Sequence, residues 1–146
     1  MSTLTLGADH AGFEMKGLIL TRLAEQGYDV TDVGTDSLEP VDYPFYAGKV
    51  AESVRETGNL GILLCGSGGG MSIAANRYNG IYAIKCANVT EARTARKTGA
   101  NILCLRGKSI YVEDSWAITD AFLKAEFSGE ERHQKRLDQI DGLFTG

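Results

Sequence analysis

Residues 59–64 read Asn-Leu-Gly-Ile-Leu-Leu, apolar at nearly every position, and Cys65-Gly66-Ser67-Gly68-Gly69-Gly70 follows at once. A strand without polar alternation is buried on both faces, which is the situation inside a parallel sheet. Parallel neighbours need crossovers long enough to hold a helix. The rest of the chain must therefore alternate strands with helices, and its patterning does.

Thr3 to Leu6 predicts a strand that stops at Gly7. From about Gly12 to Glu25 the spacing turns helical, with Phe13, Leu20, Leu23 and Ala24 able to share a face and Gly27 suited to the C-terminal cap. Tyr28 to Val33 is a second strand closed by Gly34. Thr35 to Pro44 is loop-like and holds both prolines, and Pro44 suits the first turn of a helix through Phe45, Ala47, Val50 and Val54. Further helices are expected over 71–78, 90–97, 112–127 and 130–144, and strands over 81–86 and 102–105. This order predicts an α/β fold: a parallel, Rossmann-like, five-stranded sheet in a three-layer α/β/α sandwich. At 146 residues, with no repeat or linker, the chain reads as one domain over 1–146.

Composition narrows the function. A 43% hydrophobic content supplies a core, and the net charge of −4 without a long basic run argues against a nucleic-acid partner. No stretch approaches the roughly 20 apolar residues of a membrane span. The N-terminus lacks the basic-then-apolar pattern of a signal peptide. Cys65, Cys86 and Cys104 are widely spaced and make no disulfide framework, so a reducing cytoplasm is expected. With two histidines, His10 and His133, and no clustered thiols, no built-in metal site is expected.

In doubly wound sheets ligands bind beyond the carboxyl ends of the strands. The loop from Cys65 to Gly70 follows a strand and opens a helix, so its amides can face an anion without side chains in the way. Nucleotide motifs fit poorly: the loop lies on a later strand than the dinucleotide fingerprint, and Gly70 is followed by Met71 rather than Lys. A tight turn needs one glycine, so four argue for close ligand approach. Cys65, at the lip, is expected to ionise more readily than a free thiol and to serve as base or nucleophile; the alternative is a small buried hydrophobe. For Cys86 and Cys104, inside apolar strands, the hydrophobe reading holds. Asp9 and His10 follow the first strand, where a carboxylate can orient an imidazole or simply cap the next helix. Arg132 and Arg136 share a helical face that suits a phosphate or a solvated surface.

The segments GADHAGFEMK, Asp42-Tyr43-Pro44, GILLCGSGGGMSIAANR and ERHQKRLDQI together resemble the ribose-5-phosphate isomerase B family, which includes the galactose-6-phosphate isomerase subunits. The resemblance covers nearly the whole chain. It implies aldose–ketose isomerisation of a sugar phosphate without metal or cofactor, in a homodimer or homotetramer with sites between subunits. It also implies roles. Cys65 matches the thiol that moves the proton between C1 and C2; another branch uses a Glu where this chain has Met71. Ser67 and the amides of Gly66, Gly68, Gly69 and Gly70 would hold the enediolate oxygen. Asp9, His10 and Tyr43 line the sugar, Arg132 and Arg136 bind phosphate, and Lys108 stands where some members have a phosphate-binding Arg. Lys keeps the charge without the bidentate fork.

One departure stands out. Members carry a His-Asn pair after the position of Arg96, and the His is assigned to ring opening. Here the run is Arg96-Lys97-Thr98-Gly99-Ala100-Asn101, one residue shorter. Thr98 takes the place of the His, and Asn101 is the asparagine counted with the substrate-binding residues. Either His10 opens the ring or the substrate needs little opening, as for a tetrose 4-phosphate; a hexose 6-phosphate is a further alternative. Two other classes share parts of this pattern: a non-catalytic sugar-phosphate-binding subunit, which Cys65, Ser67, Asp9 and His10 together argue against, and a nucleotide-binding protein, which ATP would stabilise and sugar phosphates would not.

Overall fold

The computed structural model describes residues 3–144; the outermost positions of the expected domain, 1–2 and 145–146, lie outside them. Five parallel strands, β1 (Thr3–Ala8), β2 (Asp29–Asp32), β3 (Leu60–Cys65), β4 (Ala83–Lys85) and β5 (Ile102–Arg106), stand in the order β2-β1-β3-β5-β4. The helices are α1 (Phe13–Glu25), α2 (Tyr43–Thr57), α3 (Gly69–Ala75), α4 (Val89–Thr98), α5 (Val112–Lys124) and α6 (Glu131–Asp141), with a short 3-10 turn at His10–Gly12. This is the α/β arrangement that the patterning predicts.

β3 lies at the centre, paired with β1 and β5, and Ile62, Leu63 and Leu64 are fully buried. Successive side chains point to opposite faces. Ile62 and Leu64 pack with Ile19, Leu23 and Phe122 in one core, while Leu63 and Cys65 pack with Val50, Val54 and Met71 in the other. Chain connections leave β1 toward β2 and β3 toward β5 and β4, so the crevice where the order reverses opens between the carboxyl ends of β1 and β3. The amide of Asp9 donates to the Leu64 carbonyl (3.2 Å) and ties those two ends together.

Several boundaries differ from expectation for physical reasons. β1 runs on through Gly7 and Ala8, which pair with Leu63 and Leu64; Gly7 marks close packing, since a Cβ there would stand 2.9 Å from Val50 Cγ2. α3 begins at Gly69, not Met71, so two of the loop's glycines form its first turn, and it ends at Ala75, short of Tyr78. β2 and β4 are shorter than their apolar runs because they form the two sheet edges. α5 stops at Lys124 rather than Phe127, and α6 occupies only part of the expected 130–144 span. α1 buries Met15, Lys16, Ile19 and Leu23, while Ala24 is exposed. That rotation takes the Lys16 amine inward to Asp32 Oδ2 (2.8 Å) and the Thr35 carbonyl (2.6 Å).

Candidate active site

Asp9 follows β1 directly and is 5% exposed. Its Oδ1 accepts from the amides of Ala11 (3.0 Å) and Gly12 (3.1 Å), so the carboxylate caps the turn and fixes the position of His10. His10 Nδ1 accepts from the amide of Val41 (3.1 Å). A backbone amide can only donate, so Nδ1 carries no proton and the neutral ring carries it on Nε2.

β3 ends in Cys65, which is 4% exposed, and its Sγ accepts from the amide of Gly68 at 3.1 Å. That geometry needs glycine at 68. Its φ is +84°, and a Cβ would stand 3.0 Å from the Leu105 carbonyl carbon. Ser67 Oγ accepts from the amide of Gly69 (3.1 Å). Gly70 serves a close approach: a Cβ there would lie 2.7 Å from Cζ of Tyr43, whose ring packs against the bare backbone. The amide of Gly107 donates to the Cys65 carbonyl (2.7 Å), which brings the exposed Lys108 to the same end of the sheet. Asp9, His10, Tyr43, Cys65 to Gly70 and Lys108 thus gather around the crevice. Met71 is fully buried in the core beneath them.

Of the remaining predicted residues, two come together elsewhere and two, Arg132 and Asn101, do not line that place. Thr98, at the end of α4, and Arg136, on α6, line a cavity of about 470 Å³ together with Tyr82, His133, Ile140 and Asp141. None of the first group lines it. The Thr98 hydroxyl lies within hydrogen-bond distance of the carbonyls of Thr94 (2.9 Å) and Ala95 (3.2 Å). Arg132 is exposed and pairs with Glu130 (3.2 Å). The Asn101 amide is engaged in the backbone: its Oδ1 accepts from Tyr82 N (2.8 Å) and its Nδ2 donates to the Gly80 carbonyl (2.9 Å). Asn76, at the end of the AAN run, does the same for β4 through Ala83 N (2.7 Å) and O (2.8 Å).

Burial pushes the Cys86 thiol up to about 11, with the Glu91 carboxylate adding to the shift, and burial also raises Cys104. Both are buried, Cys104 within β5 and Cys86 just past the end of β4 rather than inside a strand as expected, because the edge strand stops at Lys85. Burial, and then the bond to Asp141, likewise raises the Tyr82 phenol. Among the described residues, no group of three or more His, Cys, Asp or Glu is placed to hold a metal ion, and no helix is long and apolar enough to cross a membrane.

Known proteins resemble this chain in sequence and fold. The family model described as Ribose/Galactose Isomerase matches residues 4–140. The chain is 40% identical over 146 residues to ribose-5-phosphate isomerase B of Escherichia coli, covering 98% of this chain and 97% of that one. It is similar to the crystal structure of a ribose 5-phosphate isomerase from Thermotoga maritima, with a TM-score of 0.94 and 46% identity over 97% of this chain and 99% of that one. It is also similar to ribose-5-phosphate isomerase B of Mycoplasma genitalium with bound ribulose-5-phosphate, with a TM-score of 0.90 and 35% identity over 96% and 94% of the two chains.

Proposed function

The chain belongs to the ribose/galactose isomerase family, and on that premise we propose that it interconverts the aldose and ketose forms of a phosphorylated sugar of the ribose 5-phosphate type. The reaction runs through an enediolate, with Cys65 as the base. The observation that carries this reading is the bond from the Gly68 amide to Cys65 Sγ at the crevice between β1 and β3, with Asp9 and His10 alongside.

Cys65 takes the proton from C2 of the open-chain aldose. The C–H electrons form the C1–C2 double bond, and negative charge develops on O1. The Ser67 hydroxyl and the amides of Gly66 and Gly70 stabilise that oxygen, where a single donor is worth roughly 3 kcal/mol, while the Gly68 amide holds the sulfur and the Gly69 amide holds Ser67. The proton returns from sulfur to C1 while the O2 proton passes to O1, which leaves the ketose. Proton abstraction beside a carbonyl requires both groups together, and the loop supplies them within three residues. Asp9, His10 and Tyr43 face the sugar, and His10 Nε2–H is a fixed donor.

Phosphate falls to Arg132 and Arg136 from one side and to Lys108 from the crevice side, and Thr98 lines the cavity with Arg136. The two residue groups of one protomer line different places. A second copy of the chain therefore completes each site in a homodimer. α6 supports this: it buries none of its residues and leaves Ile140 exposed, and Leu143 and Phe144 just beyond it are exposed too. The free thiols of Cys65, Cys86 and Cys104 suit the cytoplasm.

The engagement of Thr98 with its own helix carbonyls favours, as a second reading, a substrate that needs no ring opening, such as a tetrose 4-phosphate. A panel of pentose 5-, tetrose 4- and hexose 6-phosphates decides. Fastest turnover of ribose 5-phosphate supports the first reading, fastest turnover of the tetrose the second, and turnover of none contradicts both.

A further inference from the structure

We propose that His133 opens the furanose ring of the aldose phosphate. This rests on the ribose 5-phosphate reading above. An aldopentose 5-phosphate closes by joining O4 to C1, and its C2 proton becomes acidic only once C1 is a free aldehyde. Opening requires a group that removes the O1 proton and returns a proton to O4.

The chain has two imidazoles, and their surroundings divide the work. His10 Nδ1 accepts from the Val41 amide, so Nε2 holds the proton and has no free lone pair; a second proton on the ring would displace Val41. His10 donates but does not cycle. His133 is different. Its Nδ1 lies 2.6 Å from Ser128 Oγ, a hydroxyl that can accept or donate, and 3.4 Å from Glu130 Oε2. With Nδ1–H donated to Ser128, Nε2 is free to accept a proton. When both nitrogens are protonated, the Glu130 carboxylate faces the cation. Ser128 is itself held, since its Oγ accepts from the Glu130 amide at 3.2 Å. A base oriented by a third group is the arrangement proton transfer calls for.

Among the other polar groups of the cavity, Tyr82 donates to Asp141 Oδ2 at 2.6 Å, and Asp141 Oδ1 is buried with no hydrogen-bond partner among the described residues, so the phenol is committed and the carboxylate keeps one acceptor. Asn76 is engaged with Ala83, and Thr98 with the carbonyls of its own helix. Arg136 cannot release its proton at working pH. His133 lines the same cavity, one turn before Arg136 on α6, with its side chain 12% exposed. A sugar whose phosphate sits on Arg136 therefore meets, in that cavity, an imidazole that combines an orienting partner with a free ring nitrogen.

The step balances. Nε2 takes the O1 proton, C1=O1 forms as the C1–O4 bond breaks, and Nε2 returns the proton to O4. His133 ends as it began.

The test separates ring opening from isomerisation. Ribulose 5-phosphate cannot close to a furanose, because its O5 carries the phosphate, so its C1 proton can exchange with D2O without any opening step. In His133→Asn the kcat/KM for ribose 5-phosphate should fall about a hundredfold or more, while C1 exchange in ribulose 5-phosphate keeps the unsubstituted protein's rate. Equal loss in both assays, or loss in neither, overturns the proposal. If His133→Asn fails to fold, Ser128→Ala decides. That variant keeps the imidazole and removes its orienting partner, and the loss must again be confined to ribose 5-phosphate. Absence of exchange in the unsubstituted protein would overturn the isomerase reading itself, which is a separate result.

Discussion

The Val41 amide and His10 Nδ1 lie 3.1 Å apart, and this bond joins the loop after β2 to the crevice between β1 and β3. Val41→Pro deletes the donor and leaves the imidazole. A bond of this kind contributes about 1 kcal/mol, which corresponds to a several-fold loss. Steady-state kinetics should show that loss in kcat/KM with little change in melting temperature, and 15N NMR should show the His10 ring populating both tautomers. Unchanged His10 nitrogen shifts would mean that Val41 does not set the tautomer.

How far the sequence carried the account depends on the kind of information each position holds. The parallel sheet was legible because β3 is apolar throughout, which only double-sided burial explains. Cys65, Asp9, His10 and the glycines were legible because they follow strands directly in the chain. Lys16 was not. A lysine in a helical pattern reads as a solvated face, yet its amine is buried against Asp32 and Thr35, partners that only the folded chain brings near. Asn101, expected to bind substrate, and Asn76, at the end of the AAN run, both use their amides to hold the strand leading from Gly80 to Ala83, a task that no local pattern announces. His133 carried no local signal, because its meaning comes from Ser128 and from the cavity it shares with Arg136 and Thr98.

Gly68→Ala should harm both fold and chemistry. The left-handed backbone and the 3.0 Å approach to Leu105 force the loop to shift, at a cost of about 1–3 kcal/mol. The shift moves the amide off Cys65. Denaturant titration and turnover should therefore fall together, whereas Gly66→Ala, where a Cβ finds its nearest contact at an ordinary 3.6 Å from Ala11 Cβ, should keep stability. Equal stability losses in the two variants would contradict this.

If each site is shared between copies, Cys65→Ala and Arg136→Ala damage opposite halves of it. Mixed by co-expression, the two inactive variants should form heterodimers with one intact site, recovering roughly a quarter of normal activity when assembly is random. No recovery, despite heterodimers seen by mass spectrometry, would place both residues in one chain's site.

Stability should fall at alkaline pH. Burial, and then Glu91, raises the folded Cys86 pKa to about 11, above the roughly 8.5 of a free thiol. The folded state thus holds its proton longer than the unfolded one. This contribution is complete below about pH 8.5 and is lost as pH rises through about 11. Cys104 and Tyr82 are shifted the same way. Urea titrations across that window should show declining stability, with a shallower slope in Cys86→Ala. An unchanged slope would remove Cys86 from the effect.

The central claim is that Cys65 carries the proton between C1 and C2. The direct measurement is deuterium incorporation from D2O into ribulose 5-phosphate at C1, followed by NMR for the unsubstituted protein and for Cys65→Ala. Exchange is expected in the unsubstituted protein and its loss in Cys65→Ala, with substrate binding retained by calorimetry. Exchange at full rate in Cys65→Ala would contradict the claim.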